Sequence, residues 1–491
     1  MASSPPAAST LDRRAWGALL VLCGALFLDG LDVSMVGVAL PSIDSDLHLT
    51  TSTLQWIVSG YVLGYGGLLL LGGRAADLLG RRRVFVIALS VFAVASLLGA
   101  VASDGPLLIA TRFLKGLSAA FTAPAGLSII TTTFAEGPAR NKALAVYTAT
   151  GASGFSMGLV FGGLLTEIGW RWTFLLPAPI AVLLVLGALR LVPDDGRPDR
   201  AGRGFDVAGA GLVASAMLLF VFTIVEAPTA GWTSLRTTGS IAAVAALAFA
   251  FVAVEQRSAH PLVRLGILRS AALRRANLGA MAVFGGWVGF QFVGTLYLQQ
   301  LRGWSALEMA LAFLPAGLVV AVGAPRSGQL VDRFGTTRVT AVGMAAFVAA
   351  YALVLGLDAN SPYLTALLPT MLLGGIGFMC AFGPLNVAAT SGIADHEQGL
   401  ASGLVSSSFQ VGGAVVLAVV TAVMAAGVRN STAEPSSPTA LLDGYHAALL
   451  VPLLVAFLGL LVTVSGALPA LVRAMLPEQP AAAGAAGEDV R

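Results

Sequence analysis

Gly73-Arg-Ala-Ala-Asp77-Leu-Leu-Gly80, followed at once by Arg81, Arg82 and Arg83, lies between two long apolar stretches. A second copy, Gly328-Gln-Leu-Val-Asp332-Arg333-Phe-Gly335 with Arg338 downstream, lies between two more. Both copies hold glycine, aspartate and glycine at the same spacing. They stand about half a chain apart, so the chain reads as a duplicated helical membrane bundle, an arrangement that places a midplane site between repeats and serves secondary transport.

Of 491 residues, 57% are hydrophobic and 11% charged, and mean hydropathy is +0.85. A soluble core could not hide that much apolar surface, so an integral membrane protein is expected. Runs of about twenty apolar residues fall near 15–41, 53–72, 84–103, 106–130, 143–165, 173–191, 207–226, 238–254, 276–298, 306–325, 339–357, 363–387, 399–427 and 445–470, which predicts fourteen helices. The runs are continuous, whereas barrel strands would alternate over about ten residues. Cys23 and Cys380 both fall inside spans and read as free thiols in the core.

With the N-terminus inside, the inner loops gather most of the basic residues, from Arg74 and Arg81 through Arg197 and Arg269 to Arg333 and Arg338. The outer loops hold only Arg171, Arg236, Arg302 and Arg429. This asymmetry predicts a cell-membrane protein with both termini cytoplasmic. A sequence pI near 9.1 then reflects the inner rim, with no nucleic-acid partner required. Residues 1–14 read as a cytosolic tail; residues 471–491, mostly Ala, Gly, Pro and Glu, cannot repay the entropy of ordering and read as a disordered one.

The repeat extends past the loops: Ala143-Leu-Ala145, opening the fifth predicted helix, is echoed by Gly399-Leu-Ala401, opening the thirteenth. Two six-helix halves, 15–191 and 276–470, are therefore expected to flank an insert at 192–275. The insert holds a helix pair near 207–226 and 238–254 between basic cytosolic linkers. A closed bundle of this kind needs no partner to form a pathway, so a monomer is the expected working unit.

Asp29 and Asp32 share one face of the first helix. Asp32 lies roughly 24 Å in from Trp16 at 1.5 Å per residue. A charge there costs about 2.5–3.5 kcal/mol unless it meets a cavity or a partner, which marks both acids as candidates for proton binding and release. Arg112, two turns down the fourth helix at similar depth, is the natural partner, and Leu108, Arg112, Gly116 and Ala120 repeat every four residues. Lys115, one turn further in, is assigned a minor accessory role or none. Gly158, Gly162 and Gly163 in the fifth helix allow bending or close packing. Trp287, Phe290 and Gln291 sit in a glycine-loosened ninth helix and, with Phe27, Asn386 and Gln410, are candidates for a bulky apolar ligand, a positive charge being admissible.

A phosphate loop needs Gly-Lys, but Leu114 precedes Lys115 and Asn141 precedes Lys142, so directly bound ATP is excluded as fuel. The histidines 48, 260, 396 and 446 show no metal-binding spacing, and no cofactor is implied. An ion gradient remains: one charge moving across 100 mV carries about 2.3 kcal/mol.

These residues resemble the major facilitator superfamily, and within it the fourteen-helix drug:proton antiporters of the EmrB/QacA type. Gly73-x3-Asp77-x2-Gly80-Arg81 is similar to the motif between helices 2 and 3, whose aspartate and arginine help latch the cytosolic side; Gly328, Asp332, Arg333 and Gly335 form the second such loop. Arg112 with Gly116 is similar to the helix 4 motif tied to proton transfer. Leu31-Asp32-x-Ser34-x2-Gly37-Val-Ala-Leu-Pro41 is similar to the helix 1 motif of the fourteen-helix group. Tyr297-Leu-Gln299, Gly303-x-Ser305 and Leu314-Pro315 match a further recurrent stretch. The chain departs from the pattern at Leu159, where the fifth-helix motif carries proline, and at Ser34, Gly37 and Leu78.

The resemblance implies an all-α integral membrane fold of two six-helix bundles plus two inserted helices. It also implies proton-coupled export of a drug or antibiotic by alternating access. An exporter of one metabolite, lipid or siderophore on the same fold is the alternative. A membrane enzyme would need an acidic or histidine-bearing catalytic loop, and the loops here offer arginines and isolated acids.

Overall fold

A computed structural model describes residues 13–134, 138–194, 207–258, 265–393, 397–434 and 437–466. Among them there is no strand. The first half comprises α1 (Arg13–Leu47), α2 (Thr51–Leu79), α3 (Arg81–Ala100), α4 (Gly105–Thr133), α5 (Pro138–Ile168) and the short α6 (Arg171–Leu175), which runs on into α7 (Pro177–Leu191). Then come α8 (Val207–Ala230) and α9 (Leu235–Glu255). The second half comprises α10 (Ala271–Leu296), α11 (Ala306–Phe334), α12 (Thr336–Leu353), α13 (Leu368–Thr390), α14 (Gln398–Asn430) and α15 (Pro438–Ser465). Twelve helices among the described residues are long and apolar enough to cross a membrane; α2 and α5, at 29 and 31 residues, are not among the twelve.

Local chemistry sets the helix ends. Hydroxyl or carboxylate side chains cap α2 (Thr50), α4 (Asp104), α9 (Ser234), α10 (Ser270), α11 (Ser305) and α15 (Ser437), each accepting from a backbone N–H three residues on. At α11 the exchange is reciprocal, because Glu308 accepts from Ser305 N at 2.8 Å. The duplicated loops turn on matching glycines: Gly80 (φ 94°) joins α2 to α3 and Gly335 (φ 81°) joins α11 to α12, a conformation that a side chain would strain. Two π-helical turns, Tyr297–Leu301 and Tyr363–Leu367, extend α10 and precede α13; the apolar pattern gave no sign of either.

Small residues decide which helices touch. A methyl group added to Gly116 of α4 would collide with the carbonyl oxygen of Tyr61 in α2, and one on Gly72 with that of Ala120. Along α1 and α5, Gly158 faces Ser34 and Leu31, and Gly162 faces Met35. Gly163 instead packs on Leu307 and Ala310 of α11 in the other half. These three glycines thus sit at close contacts, the packing alternative raised by their spacing. The inserted pair lies to one side: α8 rests on α2 and α14, while α9 rests on α8 and leaves Leu235 and Phe249 at 89% and 77% exposure.

Helices α5 and α11, and α2 and α14, join the halves, and Ser156 Oγ donates to Gly317 O at 3.3 Å near mid-helix. Gln299 Nε2 donates to Val38 O at 3.0 Å, Gln300 Nε2 to Asp44 Oδ2 at 3.4 Å, Leu307 N to Glu167 Oε1 at 3.3 Å, and Thr421 Oγ1 to Gln55 Oε1 at 2.7 Å. All four lie toward the helix ends remote from the Gly80 and Gly335 loops.

Substituting Gly116 by Ala is expected to destabilise the α2–α4 contact by the overpacking cost of about 1–3 kcal/mol. Gly239→Ala, inside α9 where added atoms meet open space, is expected to raise stability by up to about 1 kcal/mol. Thermal melting of the purified protein in detergent checks both.

Candidate functional site

Helix α1 carries Asp32 about 28 Å from its start, near the middle of its length. The side chain is 0% exposed, and Arg112 and Lys115 beside it are 2% and 0% exposed. Arg112 Nη1 donates to Asp32 Oδ2, and Lys115 Nζ donates to Asp32 Oδ1 at 2.5 Å. Each carboxylate oxygen therefore has its own cation. The two cations stand three residues apart, on one face of α4, so a single helical turn delivers both.

Further contacts surround both cations. Arg112 Nε donates to Ile57 O at 3.2 Å, and its guanidinium lies 4.7 Å from the centre of the Tyr61 ring. Lys115 Nζ lies 4.7 Å and 5.1 Å from the ring centres of Phe174 and Phe92. Aromatic faces attract cations and form low-dielectric walls. An ion cluster survives such burial because the charges are paired and hydrogen-bonded, not because the pairing adds much net stability.

Asp29 lies one turn earlier on α1 and is 8% exposed. Its neighbour is neutral: Thr122 Oγ1 approaches Asp29 Oδ2 at 3.4 Å. The structure thus joins Asp29, Asp32 and Arg112 at one centre, as their spacing suggested. Lys115 is a correction. The sequence reading assigned it little or nothing, yet it holds half of Asp32; its place on the Arg112 face was the available signal.

The candidate ligand residues divide. Gln291 reaches α1, its Nε2 lying 3.2 Å from the position of a methyl on Gly37. Gln410 abuts Gly66 of α2 in the same way. Asn386 Nδ2 donates to Phe382 O at 2.8 Å within its own helix. Phe27 is half-buried at the α1–α5 contact, its backbone against Gly154. Phe290 is buried inside the second bundle, 5.3 Å from the Tyr351 ring and 5.8 Å from that of Phe313, where it lines a small cavity with Tyr297, Met371 and Leu449.

Trp287 opens an aromatic ladder that the sequence did not disclose. Its ring centre lies 6.2 Å from Phe378, Phe378 stacks on Phe382 at 5.0 Å and 12°, Phe382 meets Phe409 at 4.6 Å, and Phe409 meets Phe284 at 6.4 Å. Phe284, Phe378 and Phe382 are half-buried. Gln291 and Gln410, on two of the helices that carry this ladder, touch the first half, while the Trp287 ring itself is buried, 6.0 Å from Phe290 and 6.4 Å from Phe313.

Of the loop residues, Gly73 lies 3.7 Å by its missing methyl from Pro124, and Gly328, Asp332, Arg333 and Gly335 are exposed. Arg81, half-buried, opens α3. The Asp77 side chain lies outside the described residues. Among the described residues no group of three or more His, Cys, Asp or Glu could hold a metal ion.

A family profile described as Major Facilitator Superfamily matches residues 22–417. The chain is 38% identical over 442 residues to a puromycin resistance protein of Streptomyces alboniger, covering 88% of this chain and 86% of that one. It is 35% identical over 428 residues to a cephamycin export protein of Amycolatopsis lactamdurans, covering 86% and 87%. A bacterial homologue of the human lysosomal transporter Spinster, solved inward-facing and unoccupied, shares the fold with a TM-score of 0.63 at 16% identity, over 93% of this chain and 98% of that one.

Asp32→Asn leaves two buried cations without their counterion and is expected to cost about 3–5 kcal/mol. Adding Lys115→Met should recover part of that loss. Apparent Tm values of the two single variants and the double variant, compared as a cycle, read the coupling directly.

Proposed function

The chain belongs to the major facilitator superfamily, a family of membrane transporters and not of enzymes, and on that premise we propose that it exports drugs or antibiotics in exchange for protons. The single observation carrying this reading is the ion cluster of Asp32, Arg112 and Lys115, with Asp29 beside it, in the middle of helices long enough to span a bilayer. A purely structural bundle gains nothing from charge at that depth, whereas a carrier driven by protons needs a carboxyl there. The relatives named for puromycin resistance and cephamycin export support a drug-like cargo.

The proposed architecture has fourteen spans, the twelve apolar helices together with α2 and α5, each long enough at 1.5 Å per residue to cross about 30 Å of hydrocarbon. Two six-helix halves, 15–191 and 276–470, then flank α8 and α9 in the insert 192–275. Both termini are cytoplasmic, because the basic loops after α2 and α11 lie on one side. With that sidedness, the hydrogen bonds between the halves close the outer end, and the conformation is the one that receives cargo from the cytoplasm. Gly73, Asp77, Gly80 and Arg81, with Gly328, Asp332, Arg333 and Gly335, would latch the cytosolic side when the carrier turns outward. The chain works as a monomer.

Cargo would lie against the aromatic ladder of Trp287, Phe378, Phe382, Phe409 and Phe284. Gln291, Asn386, Gln410 and Phe27 would supply polar and apolar edges. Stacking surfaces with few polar groups suit a bulky lipophilic compound, cationic or neutral.

Expressed in a host stripped of its own pumps, the chain is expected to raise survival against several lipophilic antibiotics. Added compound is expected to release protons from acid-loaded proteoliposomes. Protection against one metabolite alone supports the narrower exporter. Unchanged survival across the panel together with no proton movement refutes the proposal.

A further inference from the structure

We propose that Asp29, not Asp32, is the carboxyl that takes up and releases the transported proton, and that Lys115 fixes Asp32 as a permanently ionised anchor. This rests on the proton-coupled reading above. It goes beyond that reading by dividing the two acids into different roles.

Both oxygens of Asp32 are engaged by cations from α4, and the group is fully buried. A proton arriving there would have to displace Arg112 or Lys115. Arg112 would keep only the carbonyl of Ile57 beside the Tyr61 ring, and Lys115 would be left between Phe92 and Phe174, each without the carboxylate it bonds now. Burying an unpaired charge is among the costliest events in a protein interior.

Asp29 has the opposite surroundings. The ionisable groups within electrostatic reach of it are Asp32 on its own helix, Tyr61 and Tyr65 on α2, Lys115 on α4 and Tyr147 on α5. Of the two cations in this cluster, each already bonds Asp32. The hydroxyl of Thr122, 3.4 Å away, donates to a carboxylate and accepts from a carboxylic acid, so it serves either state without rearrangement. The charge count agrees. With both acids ionised, two negative charges balance Arg112 and Lys115. Protonating Asp29 changes the total by one while every ion pair of Asp32 persists; protonating Asp32 changes it by the same amount and breaks two.

The step is a proton transfer alone. One Asp29 oxygen forms an O–H bond with a proton from water on the outer side, and that bond breaks to water on the inner side. No electrons or other groups move. Asp29 lies one turn nearer than Asp32 to the end of α1 that begins at Arg13, and it is 8% exposed where Asp32 is 0%.

Purified full-length protein in proteoliposomes, assayed for cargo-driven proton flux and for the pH dependence of binding one confirmed cargo, tests the division. Asp29→Asn mimics the protonated state and is expected to cut proton flux at least tenfold and to make cargo binding independent of pH. Asp29→Glu is expected to restore a pH-dependent flux, which a merely structural role would not produce. Flux within twofold of the unaltered protein in Asp29→Asn overturns the assignment. So does binding that keeps its pH dependence in Asp29→Asn but loses it in Asp32→Asn. A lack of flux in the unaltered protein refutes the coupling itself, and that failure is recognisable because it precedes any substitution.

Discussion

A carboxylate in the middle of α1 is tolerable within an apolar bundle because one turn of α4 brings two cations to it. That constraint propagates outward. For Arg112 and Lys115 to reach Asp32 while Arg112 also bonds the carbonyl of Ile57, helices α1, α2 and α4 must lie close together. Gly116 removes the side chain that would otherwise hold α2 away, since its missing methyl would fall on the Tyr61 carbonyl. Glycine spacing, helix approach and charge neutralisation are parts of one arrangement. Removing the acid affects all of them, because a buried cation without a partner cannot stay where it is.

The two halves carry different chemistry. The first contributes ions and hydroxyls from α1, α2 and α4; the second contributes stacked rings from α10, α13 and α14. Polar links join the halves at one end, from Gln299 to Val38 and from Leu307 to Glu167. They are few and partly exposed, and such contacts break at modest cost.

Much of this was legible along the chain, for reasons that differ by residue. Gly80 and Gly335 announced the repeat because a positive φ in a tight interhelical turn admits little else. Asp32 and Arg112 stood out because charge in an apolar run is costly enough to require a partner. Lys115 was undervalued although its helical face was known, since spacing along α4 does not say which neighbour that face meets. The surroundings of Phe290 were hidden for a related cause: α10 is apolar all round, so nothing in its pattern says which of its sides meets Tyr351.

The sequence by itself determined that the chain is helical and membrane-spanning, and that its first and fourth helices carry charge within apolar runs. Those properties follow from hydropathy and from the cost of burying ions, each of which acts within a short window of residues. Tertiary structure alone decided that Asp32 is shared by two cations while Asp29 keeps a hydroxyl. It also decided that rings from three separate helices align into one wall. Both depend on which faces of distant helices meet, and in a bundle whose helices are apolar on every side only the fit of small residues against backbone selects those faces.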